Sequence, residues 1–463
     1  MTPQDVRIYL DSFLNLEKLA PTAFSSEVFK LKRVEHVLGL LGDPHKDMVF
    51  VHVAGTKGKG STCAYAAYIL REAGYTAGLY TSPHWWDVKE RIRILSPGSG
   101  TGQPELFEGC IREEEFCGIF ERMRPVLEPV RKEGALGRLT YFEVLTLAAL
   151  LYFKIKRVDC VVLETGMGGR LDATNVVDSA VCGLTPVSMD HTQILGASLA
   201  SIAREKAGII KTAGQNVVVA NQPPAAEAVI RQRIKDIGCK AFFSGKDFGV
   251  LEADKRGDRQ DFGVRGRRAD YTVTTGLMGT HQRENAALAV GMIECLTETS
   301  RLKIPAQAVQ KGIAATLWPG RFQIVRSDPI VVLDVAHNSD SARALAETVR
   351  ECFPGKQVIL VLGISRDKDL HGICRHLASV AREVIITKAG HPRAADLDDL
   401  KIRDIFRGQP FTVSRHVQEG VAMALTRAGK DDVIVVAGSV FVAAEAGKEF
   451  FPSFAGKSAD KVS

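Results

Sequence analysis

The sequence predicts an α/β protein of two domains, each built on a mainly parallel sheet. Three observations carry that expectation. Short apolar runs rich in Val alternate with helical stretches along most of the chain, as buried strands covered on both faces do. The alternation breaks over residues 240–280 and resumes after "LWPGRF" (317–322), where Pro and Gly mark a hinge. A chain of 463 residues also exceeds what one compact core usually holds.

In the first domain, residues 1–318, the run "MVFVHV" (48–53) is short, apolar and Val-rich, and so predicts a buried strand. Glycines 55, 58 and 60 follow it, then a helix to about Gly74. Further strands are expected at 75–80, 158–165, 178–185 and 215–221, with helices at 114–133, 140–157, 199–211 and 224–237. Residues 240–280 alternate polar and apolar positions around "RGRR" (265–268), which predicts a solvent-exposed antiparallel hairpin. Helices at 281–300 and 306–316 close the domain. The second domain, 319–463, repeats the alternation with strands at 329–336, 357–364, 383–389 and 432–438, a Rossmann-like unit. A cleft between two such domains is where their ligands usually bind.

Composition narrows the function classes. Apolar residues at 45% and charged residues at 25% are ordinary for a globular enzyme. A net charge of +6 is mild, and no aromatic ladder accompanies "RGRR", so nucleic acid is not an expected partner. None of the nine cysteines falls in a CxxC or metal-ligand spacing, so they read as free thiols in a reducing compartment. No apolar run approaches a membrane span and "MTPQDVRIYLDSFLNLEKLA" lacks a leader's apolar region; the expected location is cytoplasmic.

The residues that can do chemistry begin with "VAGTKGKGSTCAYAAYIL" (53–70). A strand running through glycines into a helix points several backbone N–H groups at one spot and adds the helix's partial positive charge. Lys59 would then meet the β- and γ-phosphates of a nucleotide. A tight turn alone needs the glycines but neither Lys59 nor Ser61, so the full pattern favours nucleotide binding. Gly60 nevertheless stands between Lys59 and Ser61, where the usual loop has Ser or Thr directly after the lysine. Phosphates bring Mg²⁺, which takes oxygen ligands. Glu164 ends the strand at 158–165, where a carboxylate for that ion would stand, and "GMGGR" follows it. Asp190 and His191 follow the next strand, on the same sheet edge. Lys206, in "IAREKAGIIK", reads by itself as a surface lysine resting its stem on apolar neighbours.

Eight blocks occur in order: "HVAGTKGKGST", "TSPHWWDVKERIRI", "TYFEVLTLAAL", "LETGMGGRLDATNVV", "MDHTQILGASLASIAREKAGIIK", "GTHQRENAALA", "WPGRF" and "LDVAHN". Together they closely resemble the folylpolyglutamate synthase/dihydrofolate synthase family, a branch of the Mur ligases. That family's loop has glycine after the lysine. The resemblance implies an ATP-dependent amide ligase that activates a carboxylate as an acyl phosphate and joins it to L-glutamate. The substrates it implies are dihydropteroate and reduced folates. Ser82, Glu164, His191 and a carbamylated Lys206 are the implied metal ligands, for ATP-bound Mg²⁺, two ions, with a monovalent cation left as an option. With Lys59, the last three are also the implied catalytic set.

ATP contacts are implied for Gly55, Thr56, Lys57, Gly58, Lys59, Gly60 and Ser61 of the loop, and for Asn285, Arg321 and Asp334. His337 is expected near the nucleotide or the incoming amine. Thr140, Tyr141, Phe142, Glu143, Asp172 and Arg91 are implied for the pteridine substrate. Three features depart from the family pattern: Trp85 and Trp86, expected to reshape the substrate mouth; Lys57 in place of the commoner Asn; and His391 in "AGHPRAAD". Two rival readings are a Mur-type ligase for another carboxylate and amine, which "TYFE" and "GRLDATN" oppose, and a P-loop NTPase coupling hydrolysis to a partner. A monomer is expected, because two domains already form the cleft.

Overall fold

Val-rich runs supply the central strands of the first sheet. Its seven strands are β1 (Phe50–Ala54), β2 (Ala77–Tyr80), β3 (Ile92–Leu95), β4 (Cys160–Glu164), β5 (Val181–Leu184), β6 (Asn216–Val219) and β7 (Lys240–Phe243). In the computed structural model, which describes residues 1–19, 30–99, 105–133, 136–256, 258–396, 405–406 and 408–451, they lie in the order β3-β2-β4-β1-β5-β6-β7. All pair in parallel except β3, which runs antiparallel to β2. The register sets Val53 opposite Glu164 and Ala54 opposite Leu184. One edge of the sheet therefore gathers the loop after β1, the end of β4 and the loop after β5.

Both faces of this sheet are covered. The helix Lys59–Glu72 lies between the sheet and the helices Thr280–Thr299 and Ala306–Ala315, and is buried nearly all round. Small residues in "GSTCAYAAY" permit that burial: a Cβ on Gly312 of the outer helix would stand 2.4 Å from the Ile69 Cα. On the opposite face, helices Leu31–Leu40 and Tyr141–Ile155 close a second core around Phe120, Leu147 and Phe153. Thr140 caps the latter helix by accepting from the Glu143 N–H, while the Glu143 carboxylate accepts from the Thr140 N–H. The same carboxylate takes Arg33 at 2.6 Å, both side chains buried. Burial pushes the Glu143 carboxyl up and Arg33 opposes it. Glu143→Ala would leave a buried guanidinium without its carboxylate, so a loss of ~3 kcal/mol in unfolding free energy is expected in a denaturant titration. A variant of wild-type midpoint would refute the pair's structural weight.

The expected exposed hairpin at 240–280 is corrected. Residues 240–243 extend the main sheet as β7. The rest forms a three-stranded antiparallel sheet of β8 (Gly249–Arg256), β9 (Arg259–Arg265) and β10 (Asp270–Thr275), order β10-β9-β8. Phe262, Val264, Tyr271 and Val273 bury one face of it in the main core, which is the origin of the polar–apolar alternation. "RGRR" serves that packing: Glu294 accepts from the Arg267 and Arg268 backbone N–H groups, and the Arg267 guanidinium lies 3.4 Å from the Phe242 ring centroid.

The second sheet comprises β11 (Gln323–Ser327), β12 (Ile330–Leu333), β13 (Gln357–Leu362), β14 (Ala381–Ile386), β15 (Phe411–Val413) and β16 (Asp432–Ala437), in the order β11-β12-β16-β13-β14-β15. Only β11 is antiparallel to its neighbour. Helices Ser339–Cys352 and Leu370–Ala378 cover one face, Val417–Arg427 and Val440–Phe450 the other. The α/β class with two mainly parallel sheets is as the sequence predicts. Among the described residues no helix is long and apolar enough to cross a membrane.

Candidate active site

The glycine-rich loop is held by contacts that dictate its residues. Gly55 (φ +149°) passes so near Thr185 that a Cβ would meet its Oγ1 at 1.8 Å. Gly58 (φ +83°) precedes the helix and lies against Asn285, whose Oδ1 would be 2.2 Å from a Cβ there. Glycine supplies both the left-handed backbone and the close approach. Gly60 has a steric reason of its own: the Trp318 ring would be 3.0 Å from its Cβ. Ser61 thus falls in the first helical turn, buried, and Thr56 is tied to Ser188 through its hydroxyl.

Around this loop the parallel register gathers charge. Lys59 Nζ stands 3.8 Å from Glu164 Oε1, and Glu164 Oε2 accepts from the Ser82 N–H at 3.2 Å. Burial raises the Glu164 carboxyl above its ordinary range, with Lys59 and the Ser82 N–H opposing. Lys206, expected from its surroundings at the surface, is buried and donates to the Gly55 carbonyl at 2.8 Å. Burial, reinforced by Lys59, brings its ammonium down to about 7. His191 has φ +50° and precedes a short helical turn; burial lowers its imidazole to about 4, so it is neutral at pH 7.

No three His, Cys, Asp or Glu side chains converge among the described residues. The donors expected for a metal are accordingly of mixed kind. A buried carboxylate with one cation at 3.8 Å keeps lone pairs free, and the other expected donors are the neutral His191 imidazole and the Ser82 hydroxyl. An amine at position 206 becomes a ligand for a hard cation only as a carbamate. With that change the donor types are mainly oxygen, the kind that Mg²⁺ takes.

Asp190, which the sequence places beside His191, is the centre of a group of contacts across the cleft that the sequence did not reveal. The Asp190 carboxylate accepts from Lys57 Nζ at 2.9 Å, from Asn338 Nδ2 at 3.0 Å and from Lys368 Nζ at 3.2 Å. Lys57 belongs to the glycine-rich loop, and the other two to the second domain. Lys57 therefore shares one carboxylate with Lys368, and the cluster keeps a net positive charge. Lys368 carried no sequence signal beyond its place in "SRDKD".

From the second domain, Arg321 follows the positive-φ Gly320. Burial lowers its pKa, with Asp334 and Glu164 opposing. Asp334 is fixed by the Phe322 and Ala336 N–H groups at 2.8 and 2.7 Å, and burial raises its carboxyl. His337 hydrogen-bonds the Val335 carbonyl through Nδ1, and burial lowers its imidazole to about 3.

The residues expected for the pteridine divide. Phe142 lies on the loop after β4, its Cζ 2.6 Å from where a Gly166 Cβ would stand. Asp172 is buried, accepting from the Met167 and Thr174 N–H groups. Thr140 and Glu143 have their polar atoms engaged in the helix cap, and Tyr141 lies beneath Arg91. Arg91 is fully buried, bidentate to Glu17 at 2.5 and 2.7 Å, and donates to His84 Nδ1. Glu17 escaped sequence reading because nothing local sets it apart. Trp86 is buried and donates from its indole to Ala444 O of the second domain, so the Trp85–Trp86 pair stands at the domain junction. His391 stacks on Phe441, centroids 3.5 Å apart.

Comparison with known proteins accords with this geometry. Residues 119–293 match the Mur ligase middle domain and residues 320–440 the Mur ligase glutamate ligase domain. The chain is 34% identical over 415 residues to the dihydrofolate synthase/folylpolyglutamate synthase of Bacillus subtilis, covering 89% of this chain and 92% of that protein. Among solved structures, it aligns with Mycobacterium tuberculosis folylpolyglutamate synthase complexed with ADP and AMPPCP at TM-score 0.85 and 30% identity, covering 97% and 98% of the two chains. It aligns with E. coli FolC in complex with DHPP and ADP at TM-score 0.82 and 28% identity, covering 98% of each. The chain belongs to the dihydrofolate synthase/folylpolyglutamate synthase family of Mur ligases.

Proposed function

We propose that the protein ligates L-glutamate to dihydropteroate and to reduced folates at one site, at the expense of ATP. The observation that carries this reading is the convergence of Lys59, Glu164 and the Ser82 N–H on one point above the glycine-rich loop, with Lys206 buried beneath it. We assign residues 55–61, Asn285, Arg321 and Asp334 to ATP, with His337 near the nucleotide or amine. Phe142, Asp172 and Arg91, with the Thr140–Glu143 turn, go to the pteridine. The substrate carboxylate attacks the γ-phosphorus, ADP departs, and an acyl phosphate forms; Lys59 neutralises charge on the transferring group. The glutamate amine then attacks the acyl carbon, phosphate leaves, and the amine's proton is lost. Ser82, Glu164, His191 and carbamylated Lys206 would hold Mg²⁺, which when bound neutralises phosphate charge. Water would hydrolyse the intermediate, so two domains packed over the site serve the chemistry. We assign the domain boundary to residue 318 and infer a cytoplasmic monomer.

ADP release with ATP, Mg²⁺ and L-glutamate, adding dihydropteroate or tetrahydrofolate in separate reactions, tests the proposal. Turnover with both is expected; ADP release indifferent to either pteridine would refute it. Arg321→Ala should raise the KM for ATP by about tenfold or more with a smaller change in kcat, since it removes one charge-assisted contact from across the cleft. An unchanged KM would remove Arg321 from the nucleotide site.

A further inference from the structure

The chain has three tryptophans; Trp318 packs on Gly60 of the first domain, and Trp85 and Trp86 reach across to the second. Trp85 and Trp86 sit four residues or fewer beyond Ser82, on a loop whose base is fixed: the Glu90 carboxylate accepts from the N–H groups of Trp85, Trp86 and Asp87 at 2.7, 2.9 and 2.8 Å. Their rings leave the first domain and enter the second. The Trp86 indole N–H donates to Ala444 O at 2.6 Å, within the helix Val440–Phe450, and its ring meets Phe451 edge-on at 6.1 Å. One turn along that helix, a Cβ on Gly447 would lie 2.8 Å from Trp86 Cζ2 and 3.4 Å from Trp85 Cζ3. Trp85 rests on Gly320, where a Cβ would be 1.9 Å from its Cζ2. The second domain thus offers two glycines whose missing side chains make room for two indoles.

We infer that Trp85 and Trp86 form a clasp that sets the orientation of the second domain before nucleotide binds, making them positioning residues for Arg321 and Asp334. Domain motion is the default for joined domains unless their interface is large and apolar. One buried and one half-buried indole, of a kind that buries about 150–250 Å² when enclosed, supply a substantial part of an interface that typically spans about 600–1,500 Å². Trp85 touches Gly320, whose neighbour is Arg321, and Trp86 shares a loop with Ser82, whose N–H is on Glu164. Domain orientation and the glycine-rich loop are therefore linked through fewer than ten residues. The assignment to the nucleotide rests on the ligase reading; the clasp itself rests on packing alone.

Small-angle X-ray scattering of the full chain, with and without AMPPCP and Mg²⁺, tests it, alongside AMPPCP affinity. Wild-type protein should give the same radius of gyration in both states. Trp86→Ala, and Gly447→Val acting from the opposite domain, should expand the free protein, recover compactness with AMPPCP, and raise the AMPPCP Kd about tenfold, as when one molecule in ten is competent to bind. At saturating ATP their kcat should change less than KM. Trp86→Phe, which keeps the ring but loses the N–H, should fall between. Wild-type scattering and affinity in both Trp86→Ala and Gly447→Val would overturn the clasp, as would a wild-type protein that itself contracts on AMPPCP. If Trp86→Ala fails to fold, Gly447→Val and Trp86→Phe decide. Compact wild-type protein that binds AMPPCP yet ligates neither pteridine would end the ligase reading and leave the clasp standing.

Discussion

Lys206→Ala should lower ligation by about a thousandfold or more while leaving the fold intact, because it removes the group that completes the proposed metal set. Carbamylation requires a neutral amine to attack CO₂. An ordinary lysine, near 10.5, is neutral in roughly one molecule in three thousand at pH 7, whereas an amine at about 7 is neutral in half. The Lys206 amine on the Gly55 carbonyl is thus suited to the proposed modification. The ¹³C resonance of a carbamate after incubation with labelled bicarbonate should appear in the wild type and vanish in Lys206→Ala. Activity near that of the wild type in the variant would exclude the role.

Stability supplies an independent readout. The unfolded chain holds the Lys206 proton up to pH 10.5, the folded one only to about 7, so between these values the unfolded state binds more protons and stability rises with pH. Below 7 the full cost of a buried ammonium is present. In CO₂-free buffer Lys206→Met should therefore be more stable than the wild type at pH 6, by a few kcal/mol at most, with the margin shrinking toward pH 10. A pH-independent margin would mean that Lys206 is not strained by its burial.

The contrast between Lys206 and its sequence environment shows where sequence reading ends. The central parallel strands were legible because burial on both faces demands continuous apolar runs, and the loop was legible because its glycines have φ > 0 or a neighbour within reach. Strand β3 was not: "IRIL" carries Arg93, whose buried guanidinium donates from Nε to the Glu108 carbonyl at 2.7 Å, a partner fifteen residues away. Strands β11 and β15 are short edge strands of mixed exposure, without a pattern of their own. Trp85 and Trp86 are apolar residues in a loop, a signal common to a ligand mouth and a domain junction; the glycines at 320 and 447 that receive their rings lie more than two hundred residues away. The family resemblance brought Lys206 forward where spacing left it at the surface.

Asp190 is the second site of large expected effect, and its partners Asn338 and Lys368 lie 148 and 178 residues along the chain. Asp190→Ala would leave the mostly buried ammonium groups of Lys57 and Lys368 without their shared carboxylate. Removing one member of a buried ion pair costs about 3–5 kcal/mol, and here the loss also frees the glycine-rich loop from the second domain, so a drop in kcat of about a hundredfold is expected with a lower Tm. Burial opposes ionisation of Asp190, but Lys57, His191 and Lys368 outweigh it and hold the carboxyl far below the usual range. Its stabilising contribution is therefore fully present above the ordinary aspartate value of 3.8 and fades only as pH falls below it. The difference in stability between wild type and variant should stay level from about pH 5 to 8. Lys57→Asn, by contrast, leaves Asp190 with Asn338 and Lys368 and should change activity by no more than about threefold. In the double variant one stranded cation is gone, so part of the Asp190→Ala loss should return as a coupling of ~1–3 kcal/mol. Strict additivity of the two substitutions would show that Lys57 and Asp190 do not act as a pair, and the cluster would then tie only the loop after β5, not the glycine-rich loop, to the second domain through Asn338 and Lys368.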